Sequence, residues 1–203
     1  MTTKREAKRQ ALRTRLIEAA GKRIAEGGLA NFRARDVAAD VGCALGGIYT
    51  VFEDLDDLIL HVNASTLDRM RQELTEAAKN CGPGEALRTL ARGYARFARE
   101  NGNVWDALFD HRMGGGRPVP DWLLAEHSVL LRYIMAPLAA LQPGLSEEEL
   151  RTRARTYYGA VHGIVTFSLQ QRFLGLPEDR LTPELDIFVG HIVDGMLGRG
   201  TAE

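Results

Sequence analysis

The chain is poor in the residues and spacings on which most site chemistry depends. Cysteine occurs only twice in 203 residues, at Cys43 and Cys81. They lack CxxC spacing, so neither a disulfide scaffold nor a zinc site is expected. No HExxH is present and no histidine has a glutamate three residues before it, which removes the common zinc-protease and carboxylate di-iron helix patterns. GxSxG and GxxxxGK[ST] are missing as well. The expectation is a protein that is not an enzyme and holds no metal or organic cofactor. No apolar run approaches the ~18 residues a bilayer span needs, and the basic start MTTKREAKRQALRTRL leads into no signal-peptide core. A cytoplasmic protein without a membrane partner is expected, and a content of 45% hydrophobic and 26% charged residues is ordinary for a globular chain.

Positive charge is missing from one long segment. Between Asp36 and Asp68 there is no Lys or Arg, while Asp40, Glu53, Asp54, Asp56 and Asp57 all fall there. Upstream, from Met1 to Arg35, ten basic residues face three acidic ones, an asymmetry hidden by the formal net charge of −1. Any attraction to phosphate must then come from the arm, the first helix and the arginines at 33 and 35. A solvated amphipathic helix is the plainer reading of the same charges. What lies beside them decides.

Residues 30–58 read ANFRARDVAADVGCALGGIYTVFEDLDDL. A short apolar helix carrying Val37, Ala38 and Val41 follows Arg33 and Arg35 and stops at Gly42, which can take the left-handed backbone of a sharp helix end. A second short helix, about 44–51, buries Ile48 and Phe52 and turns Leu45, Gly46, Gly47, Tyr49 and Thr50 outward. Two helices around so tight a turn form a helix-turn-helix, whose second helix fits the DNA major groove. Cys43, in the turn, is read as packing rather than as a redox switch.

At Val37-Ala38, Gly42, Ile48-Tyr49, Phe52 and Leu58 the chain resembles the TetR family of transcriptional regulators. The resemblance covers roughly residues 10 to 60. Farther on, TYYGAVHGIVTFSL (156–169) is similar to a late helix of a TetR subgroup marked by a His-Gly pair. The resemblance implies an all-α fold of about nine helices, with residues 1–55 as the DNA-binding domain and 56–203 as a sensing and dimerisation domain. It also implies double-stranded DNA, a palindromic operator, as partner. Contacts are expected from Lys4, Arg5, Lys8, Arg33, Arg35, Ala44, Leu45, Gly46, Gly47, Tyr49 and Thr50. Arg35 stands where some members read guanine, whose O6 and N7 accept both guanidinium donors, with phosphate contact or plain exposure as the alternatives. Tyr49 aligns with a tyrosine whose hydroxyl meets phosphate, and its ring can pack at the same time. The pattern is departed from at Leu55, where a phosphate-gripping lysine is common, and at Ala44, which replaces a frequent serine cap. Gly46 and Gly47 each cost a helix up to about 1 kcal/mol relative to alanine. With so few polar side chains, readout would rest on thymine methyl contact, backbone approach and DNA shape.

Periodicity and caps predict further helices over about 4–26, 54–79 with Asp54 as cap, 85–100, 104–111 and 121–141, where Pro137 should bend or trim the end. Ser146 with Glu149 makes a capping box for a long helix, and Thr182-Pro183 should open the last, about 184–197. No strand or repeat is expected. Gly159, Ala160 and Gly163 would let another helix approach closely, and Ile187, Phe188, Ile192 and Met196 leave apolar surface on more than one face. These residues are assigned to a homodimer interface, against the alternative that they close the monomer's own core. A small, largely apolar effector is expected against Phe97, Trp105, Phe109, Trp122, Tyr158, His162 and Thr166, with plain core packing as the alternative for each. The function expected is a repressor released by that ligand. A constitutive DNA-binding protein without a ligand is the alternative, and a helical enzyme a remoter one.

Overall fold

The computed structural model describes residues 3–170 and 174–198, and every described element is helical. The α-helices are α1 Lys4–Gly27, α2 Ala34–Val41, α3 Leu55–Ala78, α4 Pro83–Glu100, α5 Gly102–Asp110, α6 Asp121–Leu141, α7 Glu147–Leu169 and α8 Glu178–Met196. Short 3-10 helices occupy Leu29–Asn31, Leu45–Thr50 and Gly114–Gly116. Caps set several of the starts. Thr3 accepts from the Glu6 amide at 3.2 Å while the Glu6 carboxylate accepts from the Thr3 amide at 2.6 Å, which ties down the first turn of α1. The box predicted at Ser146 and Glu149 opens α7 in the same way.

Two expectations are corrected. Leu45–Thr50 is a 3-10 helix and not an α-helix. The Gly46-Gly47 pair supplies no side-chain packing to extend the turn, and a six-residue piece is short enough for the tighter geometry. The last helix begins at Glu178, ahead of Thr182-Pro183, and keeps Pro183 inside. Glu178 and Asp179 favour the positive end of the helix, and Leu181 and Leu185 bury on either side of the proline, which outweighs the one bond it forfeits. Pro137 likewise lies inside α6 without ending it, next to the fully buried Leu138.

Two compact units divide the chain: residues 1–68 with 101–124, and 69–100 with 125–203. In the first, the α1 stripe Leu16, Ala20 and Ile24 meets Val37 and Val41 of α2, Ile48 and Phe52 around the 3-10 turn, Leu58 and Val62 of α3, and Val104 and Ala107 of α5. In the second, Leu87 and Ala91 of α4, Leu138 of α6, Ala154 of α7, and Val189 and Val193 of α8 form the core. Arg88 and Arg92 fasten α4 to α8 there. Arg88 donates to the Asp186 backbone carbonyl at 2.9 Å and to its carboxylate at 3.2 Å, and Arg92 bridges Asp186 and Glu85. Gly190 allows this approach, because a Cβ there would lie 2.5 Å from Arg88 Nη2.

By length and a mean hydropathy of 1.2, α6 is apolar enough to cross a membrane. The expectation of no such segment therefore holds only for uninterrupted runs, since Glu126 and Arg132 break this one. Its apolar residues Leu131, Ile134, Met135, Leu138 and Leu141 pack instead into the core of the second unit.

Candidate nucleic-acid interface and ligand cavity

The reading surface is built where α2 stops. Gly42 has φ 69° and ψ 37°, so the chain reverses there, with the Cys43 amide donating back to the Ala38 carbonyl at 2.9 Å. Cys43 is half-buried, and its sulfur is the near neighbour of Gly47. Ile48 and Phe52 drop into the core, and the exposed edge is left to Ala44, Leu45, Gly46, Tyr49 and Thr50. Leu45 is 46% and Tyr49 52% accessible. Thr50 Oγ1 donates to the Gly47 carbonyl at 2.7 Å, so its hydroxyl proton serves the turn.

Basic residues around this surface divide into two sets. Lys4, Arg5 and Lys8 are exposed on the first turns of α1. Arg35 projects from α2 with its side chain 79% accessible and Asp36 3.7 Å away. The others hold partners within the protein, with Arg9, Arg15 and Arg33 still exposed. Arg33 donates to the carbonyls of Ala30 at 3.1 Å and Phe32 at 3.0 Å. Arg9 donates to the Thr50 carbonyl at 3.2 Å, Arg15 to the Val41 carbonyl, and Arg23 to both carboxylate oxygens of Asp40 at 2.6 Å. Arg13 meets His61 and lies 5.1 Å above the Phe52 ring. Charge counting could not separate the sets, because the partners of the second set are mostly backbone carbonyls, which have no signature in composition.

The acidic start of α3 is also engaged within the first unit. Asp54 accepts from the Asp57 amide at 2.8 Å, the predicted cap, and that bond is the first cause of its lowered pKa. Arg117 reaches Asp54 at 2.5 Å and Asp56 at 3.0 Å, and the Gly114 amide donates to Asp56 at 2.7 Å. Two of the carboxylates closest to the reading unit are thus neutralised from the 111–117 loop.

Residues expected to share a ligand pocket fall in both units. Trp105, Phe109 and Trp122 belong to the first. Trp105 is buried with its ring 5.1 Å from Phe109, and Trp122 stacks on His61 at 4.7 Å. Phe97, Tyr158, His162 and Thr166 belong to the second, where Phe97 is fully buried. The second unit contains a partly open apolar cavity of about 70 Å³ walled by Leu87, Ala91, Tyr94, Tyr133, Tyr158 and Val189 among others. From the expected set only Tyr158 reaches it, together with Ile192, expected at the dimer interface. Tyr94, which the sequence reading did not select, lines the cavity, and its hydroxyl lies 2.7 Å from His162 Nδ1 and 3.5 Å from the Tyr158 hydroxyl. His162 Nε2 is 3.4 Å from Thr166 Oγ1. Burial raises the Tyr158 pKa and lowers that of His162, so both stay neutral at pH 7.

Of the interface candidates, Gly159 and Gly163 have open space where a Cβ would stand, and Ile187 is half exposed. Phe188 and Met196 are partly buried against the core of the second unit. Ala160 is half-buried on α7.

Burial is the first cause of a lowered pKa for His61, His111, His127 and His162. A histidine depressed in the folded state takes up its proton more readily when unfolded. Its stabilising contribution is then complete above an unfolded pKa of about 6.5 and is lost as pH falls through the folded value. Thermal denaturation should therefore show a Tm flat from about pH 8 to 7 and declining below about 6.5. A Tm that climbs on acidification over that range would contradict the burial seen here.

An exposed reading turn after a left-handed helix stop, basic side chains beside it and an otherwise helical body define a helix-turn-helix DNA-binding transcriptional regulator. The family model described as "Tetracyclin repressor-like, C-terminal domain" matches residues 87–189, and the chain belongs to that family, the TetR regulators. Solved structures share the fold. A transcriptional regulator from Rhodococcus sp. Rha1 has a TM-score of 0.65 at 24% identity, covering 90% of this chain and 96% of its own. RolR, solved in complex with resorcinol, has a TM-score of 0.65 at 20% identity over 97% of this chain and 98% of its own. PfmR, a TetR family regulator from Thermus thermophilus, has a TM-score of 0.59 at 18% identity over 93% of this chain and all of its own. No curated protein matches the sequence.

Proposed function

We propose that the chain is a cytoplasmic repressor that binds a pseudo-palindromic operator as a homodimer and leaves it when a small, largely apolar ligand enters the second unit. Residues 1–55 carry the DNA reading, and 56–203 the sensing and assembly. The observation that supports DNA reading is the exposed Leu45–Thr50 turn beside Lys4, Arg5, Lys8 and Arg35. The observation that supports sensing is the apolar cavity. Operator affinity would fall by the ligand's preference for a conformer whose two recognition turns no longer sit one DNA turn, ~34–36 Å, apart.

Cavity size and chemistry narrow the ligand. A volume of about 70 Å³ is roughly half that of an apolar ~150 Å³ cavity able to take benzene, so a single ring enters only if a wall side chain gives way. Half-buried Leu130 and Tyr133 on α6 are the movable wall. Among the described residues no charged side chain lines the cavity, so a neutral compound is favoured over an ion, whose burial unpaired would be costly. The likeness to RolR, a resorcinol complex, is in keeping with a small aromatic compound.

Screening neutral one-ring and short-chain compounds by thermal shift and by release from DNA tests this. A ligand at 100 times its Kd should stabilise by about 2.7 kcal/mol, and Val161→Phe, which fills the cavity, should abolish the shift while DNA binding persists. If no compound gives either signal, the constitutive DNA-binding protein becomes the better reading.

A further inference from the structure

The recognition turn has little holding it from within. Its N-cap residue, Ala44, makes no side-chain bond, Gly46 has no neighbour within 4 Å of a Cβ position, and the turn closes on a few 3-10 bonds such as Val51 to the Ile48 carbonyl at 3.1 Å. Ile48, Val51 and Phe52 anchor it by burial, which is non-directional. What Leu45 and Tyr49 present to DNA depends on how the turn is set on that anchor. A directional contact from outside the turn comes from α1: Arg9 Nε donates to the carbonyl of Thr50, the last residue of the turn. One helical turn and more along α1, Arg13 lies over Phe52, and Arg15 caps the Val41 carbonyl at the end of α2. Guanidinium groups on helix C-terminal carbonyls satisfy acceptors that the helix itself cannot.

We propose that Arg9 is a positioning residue for DNA reading, setting the recognition turn through the Thr50 carbonyl rather than gripping a phosphate. The proposal rests on the DNA-reading function above. It also changes the electrostatic account, because a basic residue on the arm side of α1 then contributes geometry instead of counterion release.

Glutamine separates the two roles, since its Nε2 stands as many bonds from the backbone as arginine Nε and donates without charge. The full chain, as wild type, Arg9→Ala and Arg9→Gln, would be titrated with its DNA site selected from random sequence and with a scrambled duplex across salt concentrations. Amide hydrogen exchange at residues 47–52 would be read without DNA. For Arg9→Ala the expected result is a roughly 3- to 10-fold loss of specific affinity, an unchanged salt slope and faster exchange at Val51 and Phe52. Arg9→Gln should restore the affinity and the protection. A slope shallower by about 0.9 in both variants, with exchange unchanged, would overturn the proposal and make Arg9 a phosphate contact. Should the wild type select no site at all, the DNA-reading function falls, and exchange unchanged by Arg9→Ala would independently sink the clamp.

Discussion

Replacing Ile187 with aspartate is expected to turn the protein into a monomer that no longer holds its operator. Ile187 is 50% accessible on α8, so half of an apolar side chain is left uncovered by its own unit. Phe188 is a poorer probe, because it packs partly into the core of the second unit, and a charge there would mix unfolding with dissociation. Gly159 and Gly163 on α7 leave open space that a second helix can occupy at close range. In a two-fold interface the aspartate would be buried twice, once from each copy, and an unpaired buried carboxylate costs several kcal/mol. Light scattering should report monomers at concentrations where the wild type is dimeric, while the helical spectrum and Tm stay near the wild-type values. Operator binding should then drop towards that of a single half-site. An unperturbed dimer for this variant would move the interface to another face.

Arg35→Ala should cost about 1–3 kcal/mol of operator binding and relax base preference at one position in each half-site. The structure strengthens Arg35 as the choice for this test. Arg33, two residues before it, donates to the backbone at Ala30 and Phe32, whereas Arg35 reaches into solvent. The comparison variant is Lys8→Ala, which should weaken all sequences alike and flatten the salt slope by about 0.9. Competition binding against site variants, repeated across salt concentrations, separates the two. If Arg35→Ala shifts every sequence equally and takes the same slope change, it is a phosphate contact and base reading must lie elsewhere.

Local physics made much of the fold legible in advance. The stop at Gly42, the capping box at Ser146 and Glu149, the Asp54 cap and the buried spacing of Ile48 and Phe52 depend on neighbours within a few residues, and the structure carries each of them. Errors arose where a local rule met a tertiary opponent. Thr182-Pro183 reads as a helix start, yet burial of Leu181 and Leu185 carries α8 through the proline. The reading turn was legible as to place but not as to type, because two glycines leave its geometry to whatever packs on it.

The sequence by itself determined an all-helical chain and a helix-turn-helix at residues 33–52, since periodicity, caps and a left-handed glycine are written into short stretches. Only the tertiary structure decided which arginines of α1 hold backbone carbonyls, and that residues 101–124 join the compact unit of α1 and α2. Tertiary structure alone also brought Tyr94 to the cavity wall with its hydroxyl on His162. The reason is distance along the chain: Arg9 and Thr50, or Tyr94 and His162, are brought together by burial of apolar faces many residues apart, and a hydrogen bond to a backbone carbonyl leaves no trace in residue type.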